Sequence, residues 1–548
     1  MQKLRPASYE QFLAEFCMPV PENYNFAFDF LDKTAAENPD RLAVVHVDNE
    51  GVRRDYTFAD LSQASNRLAN ALVRLGVSRG DRVMIILYRR IEFWITMLAL
   101  HKIGAVAVPS PSLLTEHDIE YRVNYAGITT VVCEDSITAR VEAAKNKCPS
   151  LKILLQAGGA PLPSGWSDFE AAIAVAPESF TPAAPRPGGK ETLFVFFTSG
   201  TTGQPKMVEH RHDYPLAHYT TGAYWHDLEP GELHLTLADS GWAKAVWGKY
   251  YGQWLAGAAV FVWDFRGKFD PGTLLQVIAE NGVTSFCAPP TVYRFLIRED
   301  LSGVDLTKLR HCTTAGELLN EGVFHAWKQA TGKPIYEGYG QTETTLQIAT
   351  FPCMEPRPGS IGKPCPGWKI VLLDEAGTPC PAGEEGEICI DVRDGLPLGL
   401  FAGYMDEPEK TKSVWHGGFY HTGDKAWMDE DGYFWFLGRV DDLIKSSGYR
   451  IGPFEVESAL ITHPAVIEAA VTGVPDPVRG QAVKATVVLA PGYAPSDALT
   501  RELQAHVKSV TAPYKYPRVI DYVGELPKTI SGKIKRAEIR AKDLAREI

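Results

Sequence analysis

A chain of 548 residues exceeds one ordinary folding unit, and a composition of 45% hydrophobic and 22% charged residues excludes a disordered or fibrous protein. The net charge of −12 argues against a general nucleic-acid binder, because a phosphate backbone demands a basic face. The charge is uneven: from residue 441 onward 15 Lys+Arg stand against 13 Asp+Glu, which leaves −14 on the preceding body and a mildly basic C-terminal piece.

In chain order, residues 1–6 lead into mixed polar sequence without the apolar core of a secretory signal. Thr57 reads as the N-cap of a helix carrying Leu61, Ala64, Leu68, Leu72 and Leu75 on one face and stopped by Gly76. Residues 82–87 are a short continuous apolar run of strand type. The longest apolar segment, 93–109, is interrupted by His101 and Lys102 and falls short of a membrane span. It reads as a core helix followed by a strand, so a soluble protein with no membrane partner is expected. Strand patterns at 131–133, 152–155, 193–197, 258–263 and 284–288 alternate with helical ones, which means α/β layers with mostly parallel sheets. Residues 157–190, rich in Gly, Pro and Ala, read as an exposed connection. From about 370 to 436, short strands with Gly/Asp/Pro turns predict a β-rich subdomain. Strands at 466–473, 484–489 and 518–523, with a helix at 496–507, then predict a compact α+β cap. The expected fold class is α/β: a large N-terminal domain of layered sheets over 1–440 and a small α+β C-terminal domain over 441–548. The nine cysteines are scattered and form no C-x-x-C, so reduced thiols in a cytoplasmic location are expected, not a disulfide or zinc framework.

The strand pattern at 193–197 delivers into Thr198-Ser199-Gly200-Thr201-Thr202-Gly203-Gln204-Pro205-Lys206. Glycine admits an anion close to the backbone, hydroxyls and free N–H groups donate to it, and lysine adds charge, which is the chemistry of a polyphosphate cradle. The P-loop pattern G-x-x-x-x-G-K-S/T does not fit, since Pro205 precedes Lys206. By itself, a Ser/Thr/Gly loop after a strand is more often a surface turn.

Four further motifs follow: Tyr339-Gly340-Gln341-Thr342-Glu343, Tyr420-His421-Thr422-Gly423-Asp424, Gly438-Arg439-Val440-Asp441-Asp442 leading to Ser447-Gly448-Tyr449-Arg450, and Pro527-Lys528-Thr529-Ile530-Ser531-Gly532-Lys533. Each alone is explained by an exposed turn, a capping Asp or a solvated lysine. All five in this order, over essentially the whole chain, resemble the AMP-forming acyl-CoA synthetases of the acyl-adenylate-forming superfamily. The stretches Ser446-Ser447-Gly448-Tyr449-Arg450-Ile451-Gly452-Pro453-Phe454-Glu455-Val456-Glu457 and Thr511-Ala512-Pro513-Tyr514-Lys515-Tyr516-Pro517-Arg518 are most similar to the medium-chain branch.

The resemblance implies an enzyme that joins a carboxylic acid to CoA in two half-reactions through acyl-AMP, with ATP and CoA as substrates, Mg²⁺ as cofactor and release of AMP and pyrophosphate. It assigns the β/γ-phosphates to Thr198, Ser199, Gly200, Thr201, Thr202, Gly203 and Lys206, the α-phosphate to Thr342, and the Mg²⁺ to Glu343. Adenine falls to Gly316, Glu317, Leu318, Glu337, Gly338 and Tyr339; Gly340 and Gln341 stand among the other ATP/AMP-binding residues, and the ribose falls to Asp424 with help from Arg439. Lys533 bridges the acyl carboxylate and the α-phosphate, with Arg450 near the AMP phosphate. Asp441 is the hinge about which a mobile C-terminal domain turns, bringing Ser447, Gly448, Tyr449, Arg479, Tyr514, Lys515 and Tyr516 to CoA. Acetyl-CoA synthetases carry a tryptophan where this chain has Gly340. Gly340 is therefore expected to open the acyl pocket, walled by Trp242, Val246, Gly316 and Thr344, to a medium-chain, branched or aromatic acid. His210 and His212 share a strand face, but without further ligands nearby in sequence an ordinary structural role is favoured over a metal pair. Lys244 and Lys249 read as solvated stems. A homo-oligomer is left open. Two alternatives stand beside the ligase: an enzyme loading a carrier-protein pantetheine, and a non-catalytic nucleotide or acyl sensor on the same fold.

Overall fold

The computed structural model describes residues 3–198, 205–447, 449–529 and 533–546, without the side chains of Arg450 and Arg546. Residues 199–203 of the expected phosphate loop and Gly448 lie outside the described residues.

The first long helix, Phe58–Leu75, forms where the sequence signals place it. Thr57 and Asp60 make a reciprocal capping box at its start, and Gly76 ends it in the left-handed conformation at φ 107°. The helix Ile91–Ile103 is apolar on every side because every side is covered: residues 92–103 are all buried. Lys102, which interrupts that run, is not solvated. Its ammonium donates to Asp32 Oδ1 at 2.7 Å and to Asn66 Oδ1 at 2.6 Å, the pairing that a buried cation requires. Among the described residues, no helix is long and apolar enough to cross a membrane.

Two large sheets follow the α/β expectation. The parallel centre of the nine-stranded one runs Ile335–Tyr339, His311–Ala315, Ser285–Cys287, Leu233–Thr236, Ala259–Trp263, Leu42–Val47, with antiparallel strands at both edges. The eight-stranded one orders Thr192–Thr198, Val106–Pro109, Arg82–Ile86, Thr130–Glu134 and Ile153–Ala157 side by side. The hairpin of Thr192–Thr198 and Lys206–Arg211 lies toward one edge of it and carries the phosphate-loop ends. A five-stranded sheet includes Ile370–Leu373, Glu385–Asp391, Phe419–Met428 and Phe434–Arg439, matching the expected β-rich subdomain. The C-terminal domain pairs Val466–Asp476 with Gly480–Leu489 and packs the helices Pro453–Ile461 and Asp497–Val510 over a core of Val456, Leu460, Val471, Val483, Leu503 and Val507.

Residues 157–190 are not one free connection. They contain the helix Phe169–Ala174, and their carbonyls are tied down by the first long helix, with Asn66 Nδ2 donating to Glu178 O at 2.9 Å and Asn70 Nδ2 to Ser179 O at 2.8 Å. Gly/Pro/Ala content signals irregular backbone, but polar side chains facing that backbone decide whether it is held.

Candidate active site

The carboxyl ends of parallel strands are where α/β sheets place ligands, and here they open into one cleft of about 1360 Å³ between the two domains. His311–Ala315 ends in Gly316-Glu317-Leu318 on its wall, and Ile335–Tyr339 delivers Gly340, Gln341, Thr342 and Glu343 to the wall. Thr198 and Lys206, the ends of the expected phosphate loop, line it as well.

The third wall comes from a bulge. In the register between Glu385–Asp391 and Phe419–Met428, Cys389 opposes His421 and Glu387 opposes Lys425, so Thr422, Gly423 and Asp424 stand against the single residue Ile388. Gly423 takes φ 70°, which glycine accepts without strain, and the bulge turns Asp424 toward the cleft. Its carboxylate is then held by donors from elsewhere: Tyr339 Oη at 2.6 Å and Gln341 Nε2 at 2.7 Å to Oδ2, and Arg439 Nη1 at 3.3 Å to Oδ1. Burial raises the Asp424 carboxyl, and Arg439, Tyr339 and Gln341 oppose that rise. Gln341 also donates to Thr422 O at 2.8 Å and accepts from Tyr420 Oη at 2.9 Å.

Glu343 is oriented by Tyr404, whose hydroxyl donates to Oε1 at 2.8 Å, while Lys206 Nζ stands 4.8 Å over the Tyr404 ring. The backbone on either side is pinned too. Phe401 N donates to Glu343 O at 2.8 Å, and His210 Nε2 donates to Thr342 O at 2.8 Å. Burial drives the His210 imidazole down to about 3, so it is neutral, and it bonds backbone rather than metal. Sequence reasoning missed Tyr404. The Gly403-Tyr404 pair is two residues of edge strand beside Lys206–Arg211, and no local pattern marks it as facing Glu343.

Lys533 reaches the same cleft from the C-terminal domain, on a turn in which Thr529 N donates to Lys533 O at 2.7 Å and Lys533 N to Thr529 Oγ1 at 3.0 Å. Arg439 Nε lies 3.5 Å from Asp441 Oδ1, whereas Asp442 is tied onward to Arg540 Nη1 at 2.6 Å. Of the residues expected at CoA, Ser447, Tyr449, Arg479, Tyr514, Lys515 and Tyr516 do not line this cleft. Tyr449 and Tyr514 stack on the surface with centroids 4.1 Å apart, Ser447 N donates to Arg479 O, Lys515 pairs with Glu455, and Tyr516 lies against Lys508 and Arg518.

Several expectations are corrected. Glu337 does not face the cleft. It is buried beneath the Gly316-Glu317-Leu318 segment, accepting Leu319 N–H at 3.0 Å. Val246 and Thr344 are fully buried behind the wall, while Trp242, Gly316 and Gly340 line it. Gly340 leaves no opening: a Cβ there would lie 2.4 Å from Thr345 O and 2.5 Å from the Trp247 ring. An indole does fill this region, supplied by position 247 instead of 340. Lys244 and Lys249 are not solvated stems; Lys244 Nζ donates to Ala315 O at 2.7 Å beside Gly316, and Lys249 is 2% exposed, with burial lowering its ammonium to about 7.

Comparison with known proteins gives the same picture. The chain matches the AMP-binding enzyme family over residues 31–405 and the AMP-binding enzyme C-terminal domain over 455–533. The chain belongs to the AMP-binding enzyme family. It is 42% identical to the mitochondrial acyl-coenzyme A synthetase ACSM3 of Rattus norvegicus over 98% of this chain and 93% of that one, and 42% identical to the mitochondrial ACSM5 of Homo sapiens over 96% and 91%. The anthranilate CoA ligase AuaEII, solved in complex with anthranoyl-AMP, superposes with a TM-score of 0.88 at 33% identity, covering 96% of this chain and 99% of that one. This is an AMP-forming acid–CoA ligase. The expected cytoplasmic location does not stand, since these full-length relatives are mitochondrial proteins. All nine cysteines are free, and free thiols do not assign a compartment.

Two outcomes follow for the ligase. Burial pushes the Glu337 carboxyl up to about 8, so the folded protein holds a proton that the unfolded chain releases near the ordinary carboxyl value of 4.5. Stability from this group is complete below that lower value and is lost as pH rises toward 8. Glu337→Gln keeps the acceptor for Leu319 and cannot ionise, so it should raise Tm over the parent at alkaline pH and barely at pH 5; equal shifts at both would show a charged Glu337 in the fold. Tyr404→Phe removes one charge-assisted hydrogen bond from Glu343 and should slow ATP–pyrophosphate exchange by about tenfold with an unchanged melt. Unaltered exchange would remove Tyr404 from the site.

Proposed function

We propose that this ligase activates a medium-chain, branched or aromatic acid and that the cleft is its adenylation site. The observation that carries this is the convergence of Lys533, from the C-terminal domain, with Thr342, Glu343 and Asp424 on one cavity. The acid's carboxylate attacks the α-phosphate of ATP and pyrophosphate leaves. Lys533 stabilises the charge that passes between the carboxylate and the α-phosphate, and Thr342 donates to the same phosphate. Thr198 and Lys206 fix the ends of the loop, 199–203, that cradles the β- and γ-phosphates. The ribose hydroxyls fall to Asp424, which Tyr339, Gln341 and Arg439 hold by hydrogen bonds to its carboxylate. Adenine lies along Gly316, Glu317 and Leu318. Glu343 fits Mg²⁺, being a hard-oxygen ligand on the cleft wall with one oxygen steadied by Tyr404. With ATP bound, the ion would offset polyphosphate charge.

In the second half-reaction the CoA thiol attacks the acyl-AMP carbonyl and AMP leaves. The C-terminal domain turns about Asp441, withdrawing Lys533 and bringing in Ser447, Gly448, Tyr449, Arg450, Arg479 and Tyr514. Two features favour a turn about Asp441. Asp441 is paired back to Arg439 of the large domain, while its neighbour Asp442 is paired forward to Arg540 and, at 3.9 Å, to Arg536 of the terminal helix. Lys533 and the Tyr449–Tyr514 stack also do not share the cleft in this arrangement. The anthranoyl-AMP complex of AuaEII supports an aromatic or similarly bulky acid.

Lys533→Ala should cut acyl-AMP formation by at least about a hundredfold, the scale of one lost electrostatic donor, and leave thioester formation from synthetic acyl-AMP and CoA near the parent rate. Equal losses in both half-reactions would refute the rotation. The acyl profile should answer to Trp247 and not to an opening at Gly340. Trp247→Ala should favour longer acids over propionate in kcat/KM by about an order of magnitude, as each buried methylene is worth about 0.8 kcal/mol. Gly340→Trp should fail to fold or lose activity on all acids alike; a folded Gly340→Trp enzyme that switches to acetate would restore the gate to 340.

A further inference from the structure

The β-rich subdomain holds a second cluster of ligating side chains that adenylation does not use. Cys389 and His421 are cross-strand partners, and Glu387 lies two residues from Cys389 along its strand. The bulge at Thr422-Gly423-Asp424 brings Glu387 within reach of both neighbours: Oε1 accepts Gly423 N–H at 2.9 Å, and Oε2 lies 3.0 Å from His421 Nδ1. Cys389 Sγ lies 3.5 Å from the same nitrogen, and the three ligand atoms all fall within 4.8 Å of one another. Cys389 is fully buried, whereas Glu387 and His421 line the nucleotide cleft.

We propose that Glu387, Cys389 and His421 form a binding site for a thiophilic divalent cation, Zn²⁺, on the wall of the nucleotide cleft. Tetrahedral zinc with ordinary bond lengths to sulfur, imidazole nitrogen and carboxylate oxygen separates N from S by about 3.5 Å and N from O by about 3.4 Å. The separations here are 3.5 Å and 3.0 Å, and all three ligand atoms lie within 4.8 Å of one another, so small side-chain shifts bring them onto one face of such a tetrahedron. The donor set selects among metals. A thiol and an imidazole suit Zn²⁺ and disfavour Mg²⁺, which separates this site from the carboxylate at Glu343. Glu387 Oε1, held by Gly423, supplies the outer hydrogen bond that orients a metal-bound carboxylate. The fourth position faces the cleft, where His416 stacks on His421 with ring centroids 3.7 Å apart.

Binding forms Zn–S, Zn–N and Zn–O bonds and breaks the S–H bond of Cys389. One proton leaves to buffer, while the proton on His421 Nδ1 is exchanged for one on Nε2, so the imidazole stays neutral. No electron is transferred. Without a cation the thiol stays protonated, as burial and the Glu387 charge both raise it. Because His421 opens the bulge that aims Asp424, the occupied site would stiffen the ribose end of the cleft.

The test uses the full-length protein after dialysis against chelator. Zn²⁺ is titrated in competition with a chromophoric chelator, and Co²⁺ is used as a spectroscopic substitute. The expected result is one Zn²⁺ per chain bound with release of one proton, a thiolate-to-cobalt charge-transfer band, and no displacement by excess Mg²⁺. Cys389→Ser and His421→Gln should each weaken binding at least about tenfold, and Cys389→Ser should abolish the cobalt–thiolate band. Absence of that band in the parent, or parent-like affinity in a folded Cys389→Ser protein, overturns the site. Should Cys389→Ser not fold, the parent's cobalt spectrum and the His421→Gln titration decide it.

Discussion

The geometry of the cleft depends on one half-buried hydrogen-bonded junction, the side chain of Gln341. Its amide nitrogen reaches Thr422 O and Asp424 Oδ2, and its oxygen accepts from Tyr420, so one residue fastens the end of the nine-stranded sheet to the bulge of the five-stranded sheet. Two elements from different sheets keep sub-ångström register only where polar groups are mutually saturated, since apolar packing alone is tolerant of small slides. The same logic recurs one layer out, with Tyr339 on Asp424, Tyr404 on Glu343 and His210 on Thr342. Each of these partners comes from a different part of the chain, and each meets a residue of the nucleotide motifs at its backbone or carboxylate.

The connection between the two domains has a different character. At the proposed hinge, consecutive aspartates are paired in opposite directions, Asp441 to Arg439 and Asp442 to the terminal helix. Across it Asn320 Nδ2 donates to Ser458 O at 3.2 Å, while Glu457 is paired with Arg536 within the small domain. A polar contact of this kind is easier to remake than an apolar one, because water can replace the hydrogen bond.

The interior also carries more charge and imidazole than composition suggests. Lys102 and Lys249, together with His210, His212 and His218, sit out of solvent, Lys244 is half-buried, and burial lowers all six. Lys102 and Lys244 have hydrogen-bond acceptors and His210 has the Thr342 carbonyl, which is how such groups are tolerated inside a fold.

By itself the sequence determined what depends on neighbours along the chain. The capped helix Phe58–Leu75, the helix–strand unit Ile91–Ile103 and Val106–Pro109, the β-rich stretch and the small α+β domain all follow from periodicity and turn chemistry, which act over a few residues. The five ordered motifs carried the family and brought Thr342, Glu343, Asp424 and Lys533 to one cavity. Tertiary structure alone decided what fills the space beside each motif. Gly340 is glycine because Trp247 and the Thr345 carbonyl already occupy its side-chain position, and Glu337 faces inward because Leu319 needs an acceptor there. The Glu387, Cys389 and His421 cluster escaped a search for C-x-x-C spacing because its members meet across a strand pair at a bulge, and the number of residues between them in sequence carries no trace of that contact. Local patterns fix the conformation of a segment; which side chain enters another's vacant volume is set only when distant segments pack.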